Sequence, residues 1–295
     1  MPATLQKADA AVVVRKARPD DAQDCGRICF EAFTKINKDH GFPPDFPSPE
    51  VAIGVFSRLF PQHSGFYCVV AEVEGRIMGS NCLDERSTIA GVGPITVDPG
   101  VQNHGIGRKL MVAVMERARE RGFPGTRLLQ ATFHNRSLSL YTKLGFHPRE
   151  LAVVMQGPPA RTEAAGYSAR PAKASDLEAG NRVCEAVHGH NRSGDLNDSI
   201  AQGSAVVVEH HGGITGYASL LGFFGHAVAE TNLDLQALIA SASSFAGPGI
   251  IVPTRNAQLF RWCLENGLRV VEPLTLMTIG LYNEPEGAYL PSILY

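Results

Sequence analysis

The sequence predicts a mixed, three-layer α/β fold built twice in tandem. Short β-branched segments alternate with stretches whose apolar residues recur at helical spacing. The run Gly157-Pro158-Pro159-Ala160-Arg161-Thr162-Glu163-Ala164-Ala165-Gly166 cannot sustain a helix or a central strand, and it divides the 295 residues into near-equal halves. Patterns from both ends of the first half then recur, in order, in the second. Arg15, Asp21 and Arg27-Ile28-Cys29 match Arg170, Asp176 and Arg182-Val183-Cys184 at an offset of 155. Gly145-Phe146, Glu150 and Met155 match Gly267-Leu268, Glu272 and Met277 at an offset of 122. The second copy is therefore about 33 residues shorter through its middle. The expected domains are 11–157 and 167–295.

In the first half, residues 12–17 read as a valine-rich strand. Asp20 and Asp21 stand where a helix cap belongs, ahead of Cys25, Ile28, Cys29 and Phe33 at helical spacing. Four prolines make 37–50 a loop, and 51–60 reads as a short helix. Glu74-Gly75 joins strands over 66–73 and 76–83 as a hairpin. Residues 93–97 form a further strand, and 105–121 a helix with Ile106, Leu110, Val114 and Ala118 as its apolar stripe. A strand over 128–133, a helix over 137–144 and a strand over 152–156 complete the order β-α-α-β-β-β-α-β-α-β.

Composition narrows the function classes. With 44% hydrophobic and 19% charged residues the chain is globular and soluble in character. A formal charge of −2 gives no footing for coating nucleic acid or an anionic membrane. No apolar stretch approaches the ~20 residues that span a bilayer. Residues 1–11 hold no leader-like run, so the expected compartment is the cytoplasm. Six cysteines are scattered without a Cys-x-x-Cys pair, and Cys25 and Cys29 read as buried thiols. His188, His190 and the pair His210-His211 lack a ligand set at metal spacing, so they read as loop histidines and no metal is expected.

The informative segment is Gly93-Pro94-Ile95-Thr96-Val97-Asp98-Pro99-Gly100-Val101-Gln102-Asn103-His104-Gly105-Ile106-Gly107-Arg108-Lys109. A strand ends at Val97, Pro99 breaks it, and a glycine-rich turn leads into an amphipathic helix. The first turn of a helix leaves N–H groups unpaired at the positive end of its dipole. Gly105 and Gly107 let a phosphate approach that backbone, and Arg108 and Lys109 add charge. A dinucleotide fold is a poor match, because a third glycine and the following acidic residue are absent. No Gly-x-x-x-x-Gly-Lys-Ser/Thr occurs, which excludes a P-loop.

Gln102-x-x-Gly105-x-Gly107, followed downstream by Leu140-Tyr141-Thr142-Lys143-Leu144-Gly145-Phe146, resembles the GCN5-related N-acetyltransferase (GNAT) superfamily over about residues 12–155. The resemblance implies two GNAT-like mixed-sheet domains in tandem, the second degenerate. It also implies acetyl-coenzyme A as donor, with Gln102, Asn103, His104, Gly105, Ile106, Gly107, Arg108 and Lys109 around its pyrophosphate. Ile95, Thr96 and Val97 would pair with the pantetheine arm and polarise the thioester carbonyl. Tyr141 would protonate the departing thiolate. The family's asparagine, seven residues before the tyrosine, is His134 here, so Asn135 is carried as its substitute. The family's general-base glutamate falls at Leu129, beside Gln130, and neither takes a proton at neutral pH. Asp39, His40, Asp84 and Glu85 are the ionisable candidates for that role.

The second half has no Gln-x-x-Gly-x-Gly turn, and Cys263 stands at the tyrosine position, although Asn256 sits at the asparagine position. It reads as a structural partner without a coenzyme A site of its own, or as a wall of the acceptor pocket together with the tail 282–295. The expected activity is acetyl transfer to a primary amine of a small molecule, in a monomer (an intramolecular pseudo-dimer) or a homodimer. The rivals are a non-catalytic acyl-coenzyme A sensor and an acceptor that is a protein N-terminus or lysine.

Overall fold

A computed structural model describes residues 11–60, 65–160 and 165–294. The first half runs β1 (Val13–Lys16), α1 (Ala22–His40), α2 (Pro49–Leu59), β2 (Phe66–Val73), β3 (Arg76–Asp84), β4 (Ala90–Val92), β5 (Thr96–Val97), α3 (Ile106–Glu120), β6 (Gly125–Ala131), α4 (Asn135–Lys143) and β7 (His147–Gln156). The second half runs β8 (Tyr167–Pro171), α5 (Leu177–His188), α6 (Ser193–Ala201), β9 (Val206–His210), β10 (Gly213–Ala218), β11 (Ala227–Ala229), α7 (Asn232–Ser241), β12 (Ile250–Pro253), α8 (Ala257–Glu265), β13 (Arg269–Gly280) and β14 (Ala288–Leu290). No helix among the described residues is long and apolar enough to cross a membrane.

Both halves begin on the same ionic device. Asp21 accepts the Arg18 N–H at 2.7 Å and pairs with Arg15 at 2.8 Å, and Arg15 also holds Glu72 across the β1–β2 pair. Asp176 repeats this with the Lys173 N–H at 2.7 Å and with Arg170, which reaches Glu209. The turn before each first helix is thereby closed by a carboxylate rather than by a capping hydroxyl.

The halves do not close separate sheets. One sheet of nine strands runs β1-β2-β3-β4-β6-β13-β7-β12, with β5 attached to β3; a second runs β14-β11-β10-β9-β8. Strand β13, from the second half, therefore lies between β6 and β7 of the first. The registers make the exchange symmetric: Leu274 faces Ala131 across β13–β6, and Ala152 faces Pro253 across β7–β12. These pairs are related by the 122-residue offset of the repeat. The mixed α/β class and the duplication are as the sequence predicts; the interleaving of last strands is not foreseen by it.

Four local expectations change. Helix α1 runs to His40, four residues into the predicted loop, because the prolines start only at Pro43 and Gly41 (φ 75°) provides the left-handed stop. Of the predicted strand 93–97 only Thr96–Val97 (β5) is strand; β4 lies before it, and Gly93-Pro94-Ile95 separates the two. Strand β7 begins at His147, because β13 pairs along almost all of it. His188 closes α5 and is buried with His190, and its Nε2 lies 3.0 Å from Nε2 of buried His226, so these are core groups and not loop histidines. Cys25, Cys29, Cys184 and Cys263 are buried thiols, while Cys68 and Cys82 are bonded across the β2–β3 pair. Within the predicted linker, 161–164 lie outside the described residues.

Candidate active site

Strand β4 pairs in parallel with β6 only at Ala90 and Gly91. Beyond that the chain turns away, and β5 pairs with β3 alone (Thr96 with Ser80, Val97 with Gly79). The edge of β5 facing β6 is left without a strand partner. A bare Gly79 makes this close pairing possible, since a Cβ there would meet the Thr96 carbonyl oxygen at 2.4 Å. After β5, Asp98 Oδ1 accepts the Gly100 N–H at 2.8 Å, Gln102 Nε2 donates back to the Val97 carbonyl at 3.2 Å, and Gly105 (φ 79°) starts α3. No side chain caps α3, so no capping side chain answers its first N–H groups.

These features border one cavity of about 420 Å³. Of the residues singled out from sequence, Ile95, Thr96, Val97, Gln102, Asn103, Gly105, Ile106, Gly107, Arg108 and Tyr141 line it. His104, Lys109 and Asn135 do not. His104 Nδ1 folds onto the Gln102 carbonyl at 2.9 Å, Lys109 Nζ donates to the Val12 carbonyl at 3.3 Å, and exposed Asn135 opens α4. His134, at the asparagine position, does line the cavity; burial, then Arg136 and His40, push it down to about 4, so it stays neutral. Tyr141 is buried against Phe146, and burial raises its phenol above the usual range.

The candidate bases separate by environment. Asp84 pairs with Arg86 at 2.6 Å and Glu85 with Arg117 at 2.7 Å, each away from the cavity. Asp39 lines it from an exposed position beside Lys35, and the ring of exposed His40 turns back to the Ile36 carbonyl at 2.9 Å. Leu129 and Gln130 both reach the cavity, but Gln130 Nε2 is committed to Ser137 Oγ at 3.0 Å. Sequence reasoning missed two buried carboxyls in the cavity wall, Asp45 and Glu272. Asp45 was hidden in the proline-rich loop. Glu272 had already been paired with Glu150 by the repeat, but only the strand exchange brings it to the first half's cleft.

The second half has the same parts differently filled. The edge of β11 that corresponds to β5 is covered by β14, Ala227 facing Leu290 and Ala229 facing Ala288. The start of α7 is capped by its own residues: Thr231 Oγ1 accepts the Asp234 N–H at 3.3 Å, and Asp234 accepts the Thr231 N–H at 3.1 Å.

Residues 31–146 match the acetyltransferase (GNAT) family. A mycothiol acetyltransferase of Nocardia farcinica is 36% identical over 149 residues, which are 49% of this chain and 48% of that protein. An uncharacterized N-acetyltransferase of Escherichia coli is 29% identical over 126 residues, 41% of this chain and 72% of its own. The chain thus spans about half the length of the first of these relatives. Among solved structures, a crystal structure described as a putative acetyltransferase from Pyrococcus horikoshii superposes with a TM-score of 0.74 at 19% identity, covering 99% of this chain and 96% of that one. A tandem GNAT protein from the clavulanic acid biosynthesis pathway gives 0.56 at 14% identity, covering 92% and 98%. The fold defines the class, a duplicated mixed-sheet α/β protein with one open splay. The family match lies within the first half, and the fold of the whole chain is shared with solved structures that include a tandem GNAT protein.

Proposed function

We propose that the chain is an N-acetyltransferase that moves the acetyl group of acetyl-coenzyme A to a primary amine of a small molecule, using the first-half cavity. The observation that carries this is the meeting, in one cavity, of an unpartnered strand edge, an uncapped helix start and a buried phenol. The N–H groups at the start of α3 and the turn at Gly105 would take the donor's pyrophosphate, with Arg108 beside them. The free edge of β5 would pair with the pantetheine arm and polarise the thioester carbonyl. Tyr141 keeps its proton because burial disfavours the phenolate, so a donor stands ready as charge develops on the leaving sulfur. The second half has no comparable place for a donor in this reading: β14 lies on the strand edge and Asp234 on the helix start.

Replacing Tyr141 with Phe tests the reading. The expected result is a fall in turnover of about a hundredfold or more with acetyl-coenzyme A affinity changed less than about threefold. A protein that binds the donor yet releases no thiol with amino acids, polyamines, aminoglycosides or peptides would be a sensor and not an enzyme.

A further inference from the structure

The donor side leaves two cavity groups unused: buried carboxyls brought together from distant parts of the chain. Asp45 lies in the turn between α1 and α2, where Asn37 Nδ2 donates to its Oδ1 at 3.1 Å. Glu272 lies on β13 and is 3% exposed, yet its carboxyl makes no hydrogen bond and no ion pair among the described residues. Leu274 pairs with Ala131 and Leu276 with Leu129 on β6, so Glu272 shares the sheet face of Leu129 one strand away. The face that lacks a base on its own strand receives a carboxyl from the neighbouring one.

The repeat shows what such a carboxyl expects. Glu150, the counterpart of Glu272, faces the second splay from the exchanged strand β7. Its Oε1 lies 2.5 Å from Arg255 Nε, and its Oε2 accepts the hydroxyl of Tyr289 on β14. By the 122-residue offset, the first-half counterpart of Arg255 is Phe133, whose ring stacks on Phe42 at 4.3 Å. One cleft supplies its buried glutamate with a cation; in the other, no cation among the described residues pairs with the glutamate, although Lys35, Arg108 and Arg136 line the cavity from exposed positions. An ionised buried carboxyl is stable only when a cation or donors answer it.

We propose that Asp45 and Glu272 form the acceptor subsite, where they hold the ammonium group of a primary amine carried on an apolar body and Glu272 takes its proton. This rests on the reading of the cavity as an N-acetyltransferase site. Phe33, Phe46, Phe224, Ile293 and Leu294 line the same cavity, so the body it accepts is aryl or alkyl rather than a polyol. One proton passes from the ammonium to the ionised Glu272 carboxylate, and the freed lone pair forms the N–C bond at the thioester carbon. The C–S bond then breaks with its electron pair on sulfur. The thiolate takes the Tyr141 proton, and the nitrogen's surplus proton returns to the phenolate. Amide, thiol and a protonated Glu272 result, and Glu272 releases its proton to water.

The titration fits this role. Burial, reinforced by Asp45, pushes Glu272 up to about 8, and burial pushes Asp45 up to about 6 against its hydrogen bond from Asn37. Near neutrality the pair therefore holds one proton and one negative charge. Lys35, Asp39, Arg108 and Arg136 line the cavity from exposed positions, His134 and Tyr141 are neutral, and Asp45 is the charge that acts on Glu272.

Thiol release from acetyl-coenzyme A by the full chain, with 2-phenylethylamine, hexylamine and glucosamine across pH 6 to 10, tests the proposal. Wild type is expected to favour the first two amines over glucosamine by at least about tenfold in kcat/KM, on an ascending limb near pH 8. Glu272→Gln should lower kcat about a hundredfold and abolish that limb, with acetyl-coenzyme A affinity within about threefold. Asp45→Asn should keep the limb and move it to lower pH, because the like charge that opposes Glu272 ionisation is gone. An active wild type whose Glu272→Gln and Asp45→Asn variants keep its rate and pH profile overturns this inference alone. A wild type that binds acetyl-coenzyme A but releases thiol with none of the amines overturns the acetyltransferase reading as well.

Discussion

In the first half, the splay beyond β4 is open: β5 has one partner strand, and α3 begins on Gly105 with no capping side chain. In the second half, β14 lies on the matching edge of β11, and Thr231 with Asp234 closes the start of α7. The glutamates delivered by strand exchange follow the same division, Glu150 paired with Arg255 and Glu272 left to the cavity. A duplicated fold thus supplies two copies of one geometry, and a few local residues decide whether each stays open for a ligand or is filled by the chain itself.

The largest effect is expected from giving the open copy the acidic start of the closed one. A Cβ at Gly107 would meet only Leu140 Cδ2 at 3.6 Å and Val97 Cγ2 at 3.7 Å, so Gly107→Asp fits sterically. Its carboxylate would compete with the donor phosphates for the first turn of α3. Calorimetry should then show acetyl-coenzyme A affinity reduced about a hundredfold, roughly 3 kcal/mol, with the melting temperature little changed. Unaltered affinity would place the donor phosphates elsewhere.

Stripping the cover from the closed copy comes next. Tyr289 packs with Val187, Tyr217 and Val228, and Tyr289→Ala should destabilise the fold by about 3 kcal/mol in denaturant titrations. Acetyl-coenzyme A stoichiometry should nonetheless stay at one per chain, because Asp234 still occupies the α7 start; a stoichiometry of two would show that β14 alone closes the second cleft.

Glu272 makes a pH-dependent contribution. Its folded value near 8 lies above the model-peptide value of 4.5, so the folded state binds the proton more tightly. Stability is then greatest below about pH 5 with respect to this group, falls as pH rises to about 8, and levels off beyond. Thermal unfolding of Glu272→Gln should lack this slope. The smallest effect belongs to Thr231→Ala, about 1 kcal/mol from loss of the α7 cap, with the first-half site untouched.

Much of this was legible in the sequence because it is local. The glycine turn before α3, the Arg15–Asp21 and Arg170–Asp176 pairs, and the hairpin at Glu74-Gly75 each depend on residues close in the chain or on a pattern repeated at fixed offset. The acceptor side was not legible, since its groups meet only through long-range pairing. Nothing near Glu272 in sequence signals that β13 will cross to β6. Likewise β14 covers β11 from a tail with no strand signal of its own beyond Ala288-Tyr289-Leu290. The candidates drawn from nearby segments, Asp84 and Glu85, proved to be consumed by Arg86 and Arg117, partners that periodicity does not reveal.

The exchanged strand also sets an order of events in synthesis. Thr132 and Thr275 hydrogen-bond at 2.8 Å although they lie 143 residues apart in the chain. A ribosome therefore releases β6 and β7 long before the strand that must sit between them exists. Until β13 emerges, the nascent first half exposes facing strand edges, the surfaces most prone to wrong pairing. Its candidate site cannot be complete in that interval, because Glu272 has yet to be made. The half that carries the glycine turn waits on the half that lacks it, and closing so distant a pairing makes the completed sheet a late and slow folding event.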